Sequence, residues 1–354
     1  MTAIQRIQGF LPDDATAALV TSEVNRRYLS GFASSAGAIL VTKNRSILML
    51  DFRYYEAATQ CVEPPLEVVR FTRLIDDLNR IFLDENIKSV YIEDESLTVA
   101  RCRELDEAFI PVLLTDGFSA ELSHIRMCKT PDEIEKIIAA QRITERAYTE
   151  ALNFLRPGVT ERKIAVELEH LIKVYGGERA AFELICVTGE NTSLPHGVPG
   201  DRVVKEGDFF TFDIGAVYEG YHSDMTRTVA VKSATDEMRM IYDTVLQAHR
   251  NAFDAIKAGN TAADVDIAAR DHIERCGYGE YFGHSTGHGV GLEIHEAPAV
   301  YKTNRTVLRD NMVITDEPGI YLPGKFGVRI EDMVRVSGDH PIDLAALAKE
   351  LVIV

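Results

Sequence analysis

Phe209-Phe210-Thr211-Phe212-Asp213-Ile214-Gly215 and the returning Tyr221-His222-Ser223-Asp224-Met225-Thr226-Arg227-Thr228 read as two arms of a β-hairpin, with one aspartate on each arm. A second pair of arms follows in Thr315-Asp316-Glu317-Pro318-Gly319-Ile320-Tyr321 and Gly327-Val328-Arg329-Ile330-Glu331-Asp332. Strand side chains alternate between faces, so the turn decides which residues meet. A two-residue turn around Tyr218-Glu219 sets Asp213 directly opposite Asp224, and a three-residue turn at Pro323-Gly324-Lys325 sets Glu317 opposite Glu331. Bare like charges on facing strands are destabilising. Between the hairpins runs Gly287-His288-Gly289-Val290-Gly291-Leu292-Glu293-Ile294-His295-Glu296. Four acids and an imidazole converging on a point carry too much negative charge to stay unpaired in an interior. Two divalent cations would neutralise it, and two such cations close together form a hydrolytic device.

The same grammar occurs twice. Thr130-Pro131-Asp132-Glu133 has the form of a helix start, with threonine at the N-cap, proline at the first position and acids in the first turn. This helix is expected to reach about Leu155 and to stop at Pro157-Gly158; another starts at Thr160-Glu161 and ends at Gly176-Gly177. Thr235-Asp236-Glu237 opens a second long helix that Gly259-Asn260 ends, and the helix begun at Thr261 ends around Gly277. Asp132 and Asp236 lie 104 residues apart, as do Asp213 and Glu317, while Asp224 and Glu331 are 107 apart and His196 and His295 are 99 apart. Residues 130–354 therefore read as two copies of helix–helix–strand–hairpin, each ending in a pair of acids.

A chain of 354 residues has room for two domains and ample core. Its 46% hydrophobic and 26% charged content is that of a soluble globular protein. The net charge of -17 argues against nucleic acid as a partner and fits a solubilising surface. Cys61, Cys102, Cys128, Cys186 and Cys276 are scattered and form no C-x-x-C, so reduced thiols are expected. No signal peptide follows Met1 and no run of eighteen apolar residues occurs, which points away from a membrane and toward the cytoplasm. Residues 1–125 alternate short strands (17–21, 37–42, 46–51, 90–93, 111–114) with helical stretches such as Arg73–Leu83, an α/β domain. It lacks a glycine-rich phosphate loop, so a structural or gating role is expected of it.

Gly287-His288-Gly289 places an imidazole between residues without side chains, where backbone or metal can come close. Beside four acids, His288 is the nitrogen ligand. His284 is left unassigned between a supporting and a packing role. His295 and His196, at equivalent places in the two repeats, are candidates to face a substrate. Arg329 and Thr226 flank the acids as supporting residues, Arg329 on the strand face of Glu331. An oxygen-rich site with one imidazole suits Mn²⁺, Co²⁺, Fe²⁺ or Zn²⁺ and lacks the thiolates of a structural zinc site. The two ions would lie roughly 3.5–4 Å apart.

These motifs resemble the pita-bread metallopeptidases: Xaa-Pro dipeptidase (prolidase), aminopeptidase P and methionine aminopeptidase. The resemblance covers about 130 to 350 and rests on Asp213-Ile214-Gly215, Ser223-Asp224-Met225-Thr226-Arg227-Thr228, Gly287-His288-Gly289-Val290-Gly291, His295-Glu296-Ala297-Pro298, Glu317-Pro318-Gly319 and Val328-Arg329-Ile330-Glu331-Asp332. Residues 1–125 are similar to the creatinase-like N-terminal domain, through Arg27-Tyr28-Leu29-Ser30-Gly31-Phe32, which methionine aminopeptidases usually lack. The resemblance implies an α+β fold: a pita-bread catalytic domain over 126–354 built from two pseudo-repeats, behind a smaller α/β domain over 1–125. It implies two divalent ions, Mn²⁺ first, with Asp213 chelating one, Asp224 and Glu331 bridging both, and His288 and Glu317 completing the other shell. A metal-bridged hydroxide would attack the Xaa-Pro carbonyl, Glu317 would move protons, His295 would stabilise the oxyanion, and His196 would bind or protonate the substrate. Many prolidases carry an arginine just after the His-Glu-x-Pro run, where this chain has Ala299, a departure that favours longer peptides over dipeptides. Short proline-containing peptides are the expected partners, with a homodimer as the family's assembly. The competing readings are a methionine aminopeptidase, a metal-free amidinohydrolase of the creatinase type, and a non-catalytic pita-bread binding module.

Overall fold

Four helices in the C-terminal part of the chain begin alike, at a threonine whose hydroxyl accepts a backbone N–H three residues on. Thr130 accepts from Glu133, Thr160 from Lys163, Thr235 from Met238 and Thr261 from Asp264. At Thr130 and Thr261 the acid reaches back to the cap N–H as well, completing capping boxes. The helices span Pro131–Ala151, Glu161–Val174, Asp236–Ala255 and Ala262–Arg275. The first stops short of Leu155 because the chain tightens: Asn153, Phe154 and Leu155 each donate to the carbonyl three residues back.

In the computed structural model, residues 1–109 and 111–354 are described, and the chain divides into two compact units, Met1–Arg126 and Met127–Val354. Among the described residues no helix is long and apolar enough to cross a membrane. All five cysteines are free thiols.

The first unit is a six-stranded mixed sheet. Across it lie Leu66–Arg70, Ser46–Leu50, Ala38–Thr42, Thr16–Val20, Ser89–Ile92 and Leu113–Thr115, in that order. Its central strands are buried on both faces. Ala18 and Val20 join a core with the Ala3–Phe10 and Phe118–Met127 helices, while Ala17 and Leu19 join another with Leu78, Phe82 and Phe109. The Leu66–Arg70 strand escapes the sequence pattern because it is an edge strand, with exposed Glu67 and Arg70 among its five residues.

In the second unit each helix pair covers its own repeat. Ile164, Leu168 and Ala147 pack on Phe210, Phe212 and Ile214; Val245, Leu246 and Ala269 pack on Ile314, Val328 and Val334. The second hairpin has the expected register. Leu322 faces Phe326 around a three-residue turn with Gly324 at φ 71°, Gly319 faces Arg329, and Asp316 faces Asp332. The first hairpin differs. Its two-residue turn is Glu219-Gly220, with φ 46° and 84°, one position later than Tyr218-Glu219. The positive-φ pair suits a primed turn, which glycine at the second position favours. The register shifts by two, so Asp213 faces Thr226 and Asp224 falls beside Gly215. A shift of two preserves the face, so the aspartates remain on one side as diagonal neighbours.

The repeats are joined at Thr226, which forms an isolated bridge with Glu331 through the Glu331 N–H and the Thr226 carbonyl, 3.1 Å. The next residue clamps this junction. Arg227 is 2% exposed and donates to Glu331 O at 2.7 Å, Asp332 Oδ1 at 2.7 Å and Ala348 O at 3.1 Å. Removing one partner of a buried ion pair leaves the other charge uncompensated. Arg227→Met is therefore expected to lower the unfolding free energy by about 3–5 kcal/mol. Urea denaturation measures this, and an unchanged midpoint would show that the clamp carries no weight.

Candidate metal centre

Glu317 and Glu331 sit in a gap between two ladders, since Asp316↔Asp332 closes one and Gly319↔Arg329 opens the next. Pro318 offers no N–H there, and the acids' own N–H groups go elsewhere, Glu317 to Thr286 O at 2.8 Å and Glu331 to Thr226 O at 3.1 Å. Both carboxylates point to the face that carries Asp213 and Asp224. His288 reaches the same place because its flanking residues have no side chains. A Cβ on Gly287 would lie 2.0 Å from Thr315 O, and one on Gly289 would lie 2.3 Å from Ala297 O.

The His288 ring is oriented from behind. Nδ1 lies 3.1 Å from Gly289 O, which makes it the N–H side and leaves Nε2 as the free donor atom. Nε2 stands 3.5 Å from Asp224 Oδ2 and 3.4 Å from Glu317 Oε1. Ligand atoms of Asp224, His288 and Glu331 all lie within 4.8 Å of one another. Thr315 supports two of these groups, accepting from His288 N at 3.0 Å and donating to Glu317 Oε1 at 3.2 Å.

A second layer ties the repeats' acids together. Thr226 donates to Glu331 Oε2 at 2.6 Å and accepts from Arg329 Nε at 3.1 Å. Arg329, from the second hairpin, pairs with Asp213 of the first. It also donates to the Tyr321 hydroxyl at 2.7 Å, and that hydroxyl lies 2.9 Å from His284 Nε2. His284 thus packs in the supporting layer, with its pKa pushed down to about 4 by burial and by Arg329.

Burial lifts three of the carboxyls, and their mutual repulsion lifts them further. Asp224 and Glu331 rise well above the usual carboxylate range, and Glu317 is pushed up to about 7. Burial also lowers the His288 pKa, favouring the neutral imidazole that metals require. On the reverse face the balance differs. Asp316 and Asp332 directly oppose each other there, yet Arg227, His249 and Lys349 surround Asp332 and hold its carboxyl well below the usual range despite burial. His249 Nε2 stands 3.2 Å from Asp332 and Lys349 Nζ 3.1 Å. Protein cations serve the reverse face. On the front face only Arg329 is at hand among the described residues, and it is engaged with Asp213. An oxygen-rich donor set with one oriented imidazole and excess buried negative charge is chemically matched to divalent cations.

The predicted site residues come together. Asp213, Asp224, His288, Glu317, Glu331, Arg329, His196 and His295 all line one cavity of about 620 Å³, and Thr226 lies beneath it. The His295 ring meets His288 edge-on at 4.4 Å, while His196 lines the cavity as an exposed residue. Sequence reasoning passed over Tyr321 and Thr315. Tyr321 was within reach, since Glu317, Gly319 and Tyr321 share a strand face by simple alternation.

The profile of metallopeptidase family M24 matches residues 135–338, and that of the creatinase/prolidase N-terminal domain matches residues 5–128. The chain belongs to metallopeptidase family M24. Within it, the chain falls in the pita-bread branch of prolidases and aminopeptidase P. An Xaa-Pro dipeptidase of Pyrococcus horikoshii is 35% identical over 95% of this chain and 94% of its own. Among solved structures, an Xaa-Pro dipeptidase from Bacillus anthracis superposes with a TM-score of 0.94 at 38% identity, covering 99% of both chains. An X-Pro aminopeptidase from Thermotoga maritima gives 0.92 at 37% identity, covering 99% of this chain and 100% of that one.

In a metal-free M24 centre the raised carboxyl pKa values have a defined sign. The folded state binds more protons than the unfolded one between the ordinary value near 4.5 and about 7 for Glu317, so these acids cost stability as pH rises through that window. A cation must displace those protons to bind. Stabilisation by added Mn²⁺ is therefore expected to grow from pH 5.5 to pH 8, read as the melting-temperature shift of the stripped protein. An equal shift at both pH values would contradict the coupled-acid picture.

Proposed function

We propose that the protein is a dinuclear metal-dependent exopeptidase that hydrolyses the Xaa-Pro bond at the N-terminus of short peptides. The observation that carries this reading is the set of buried acids around His288, whose carboxyls stay lifted even with Arg329 beside them. Asp213, Asp224, His288, Glu317 and Glu331 would hold two divalent cations, Mn²⁺ first among Mn²⁺, Co²⁺, Fe²⁺ and Zn²⁺. Bound there, such ions acidify water and polarise the scissile carbonyl. Arg329 and Thr226 orient the Asp213 and Glu331 carboxylates, so ligand geometry is set before substrate arrives. Glu317, at the cavity wall, carries a proton between its carboxylate oxygen and the reacting water or the leaving amine. A ring N–H of His295 stabilises the oxyanion that develops in the tetrahedral transition state, and His196, which also lines the cavity, binds or protonates the substrate.

Peptide length follows from the cavity's charge. Among the described residues that line it, Arg329 is the one arginine or lysine, and Asp213, Tyr321 and Pro195 O already engage its guanidinium. With Ala299 on the wall as well, a dipeptide's free carboxylate has no unspent cation to meet. This supports an aminopeptidase P-like preference for tripeptides and longer. The dipeptidase reading stays in contention because relatives bearing either name match the chain to a similar degree.

Asp224→Asn and His288→Ala are expected to abolish hydrolysis while leaving the circular dichroism spectrum and melting cooperativity intact. His295→Ala is expected to lower kcat by about 10²–10³-fold, the scale of one lost oxyanion donor. The deciding assay compares Ala-Pro, Ala-Pro-Ala, Met-Pro and Met-Ala-Ala with the Mn²⁺- and Co²⁺-loaded protein. Preference for Ala-Pro-Ala fits the reading above, and cleavage confined to dipeptides makes the protein a prolidase. Efficient turnover of Met-Ala-Ala would return the methionine aminopeptidase reading, and wild-type activity in Asp224→Asn would remove the centre altogether.

A further inference from the structure

The two histidine-bearing loops of the cavity are fastened differently. The His196 loop is held by Glu161, which is 0% exposed and accepts from Thr188 N at 2.8 Å, Asn191 Nδ2 at 2.9 Å and Gly200 N at 2.9 Å. The His295 loop, Gly291 to His295, has no regular secondary structure. The residue after His295 holds it. Glu296 Oε1 accepts from Glu293 N at 3.1 Å, and its carboxylate presses against Gly291, where a Cβ would fall 2.6 Å from Oε2. Gly291 O in turn accepts from His222 N at 2.8 Å, tying the loop to the arm that carries Asp224.

Oε2 of Glu296 meets Lys129 Nζ at 3.1 Å, and the two side chains are 6% and 1% exposed. Lys129 is itself anchored, its N–H donating to Asn311 O at 2.9 Å beside the Cys128–Met312 bridge. A buried ion pair is a poor stabiliser compared with an apolar pair of similar size, but it fixes direction as apolar packing does not. Here the direction fixed is that of the main chain delivering His295.

We propose that Lys129 and Glu296 are positioning residues that aim the His295 ring at the reacting carbonyl. The pair sets the path of the Gly291–His295 loop, and so the edge-on contact of His295 with His288 at 4.4 Å. This rests on the reading that His295 stabilises the oxyanion. Misaiming a catalytic group by a fraction of an ångström lowers turnover without changing which peptides bind.

The test uses the full chain. Lys129→Met is expected to lower kcat on Ala-Pro-Ala by about 10- to 100-fold with KM little changed. Mn²⁺ stoichiometry and affinity by calorimetry should match wild type. In the metal-free protein the His295 ring resonance should move while that of His196 stays, and Lys129→Arg should restore part of kcat. Unchanged kcat, an unmoved His295 resonance, or Mn²⁺ affinity falling in step with kcat would overturn the proposal. If Lys129→Met fails to fold, the double variant Lys129→Met/Glu296→Leu restores an apolar pair. A folded double variant with low kcat upholds the positioning role, and one with full turnover ends it. Should wild type cleave no Xaa-Pro peptide, the functional reading fails, and the His295 resonance alone decides whether the pair orients the ring.

Discussion

Asp224, Glu317 and Glu331 must give up their water and still remain neighbours, and the catalytic unit is organised around meeting that constraint. Desolvation alone would protonate them, as the lifted carboxyl pKa values express. The repulsion would ease if the acids could splay, but the two glutamates are held at their backbones. Glu317 is tied to Thr286 and Glu331 to Thr226, each by its own N–H. The electrostatic strain therefore stays in the site, where a bound cation would relieve it.

The reverse face of the same strands is an internal control. Asp316 and Asp332 are one residue from Glu317 and Glu331, fully buried and directly opposed. That pair receives His249 from the Asp236–Ala255 helix, Lys349 from the C-terminal segment and Arg227 from the other repeat. The chain's cations hold Asp332 well below the usual carboxylate range, although burial still pushes Asp316 up to about 7, whereas on the front face Asp224, Glu317 and Glu331 are all lifted. The contrast argues that the front face is not an accident of strand chemistry. Among the described residues three cations stand behind the strands, and the one in front, Arg329, is paired with Asp213.

Much of this arrangement was legible in the sequence. Glycine, proline and threonine punctuation marked all four helix starts of the repeats, and alternation placed the acids on one face. The second hairpin's register followed from Gly324, the residue able to take the positive φ at a three-residue turn. The first hairpin was displaced by two because Glu219 itself adopts positive φ ahead of Gly220. Expecting Asp213 to oppose Asp224 directly set the turn at Tyr218-Glu219, whereas glycine at the second turn position favours Glu219-Gly220. The edge strand Leu66–Arg70 lacks the apolar run of its neighbours, and no local pattern announces it. The Arg329–Asp213 pair joins residues from different repeats, and Lys129–Glu296 joins residues 167 apart. Local spacing is silent on such pairings, because only the closed fold brings them together.

The two repeats share a design, but they do not contribute equally. The first supplies Asp213 on the Phe209–Ile214/Met225–Ala230 ladder, held by an arginine from the second, and Asp224 in the break just before Met225. The second supplies two glutamates in a broken ladder, the imidazole between glycines, and the histidine loop fastened by an ion pair. A shorter acid suits Asp213, whose backbone is held in the ladder opposite Thr226. Longer glutamates suit the gap, where the chain has withdrawn to bond Thr286 and Thr226 and the side chain must span the difference. Asp213→Glu would push a carboxylate into space held by Arg329, and Glu331→Asp would fall short of both Thr226 and the centre. Residue length at Asp213 and Glu331 thus follows where the backbone stops, whereas Asp224 reaches His288 and Glu331 as a short acid from a break in its own hairpin.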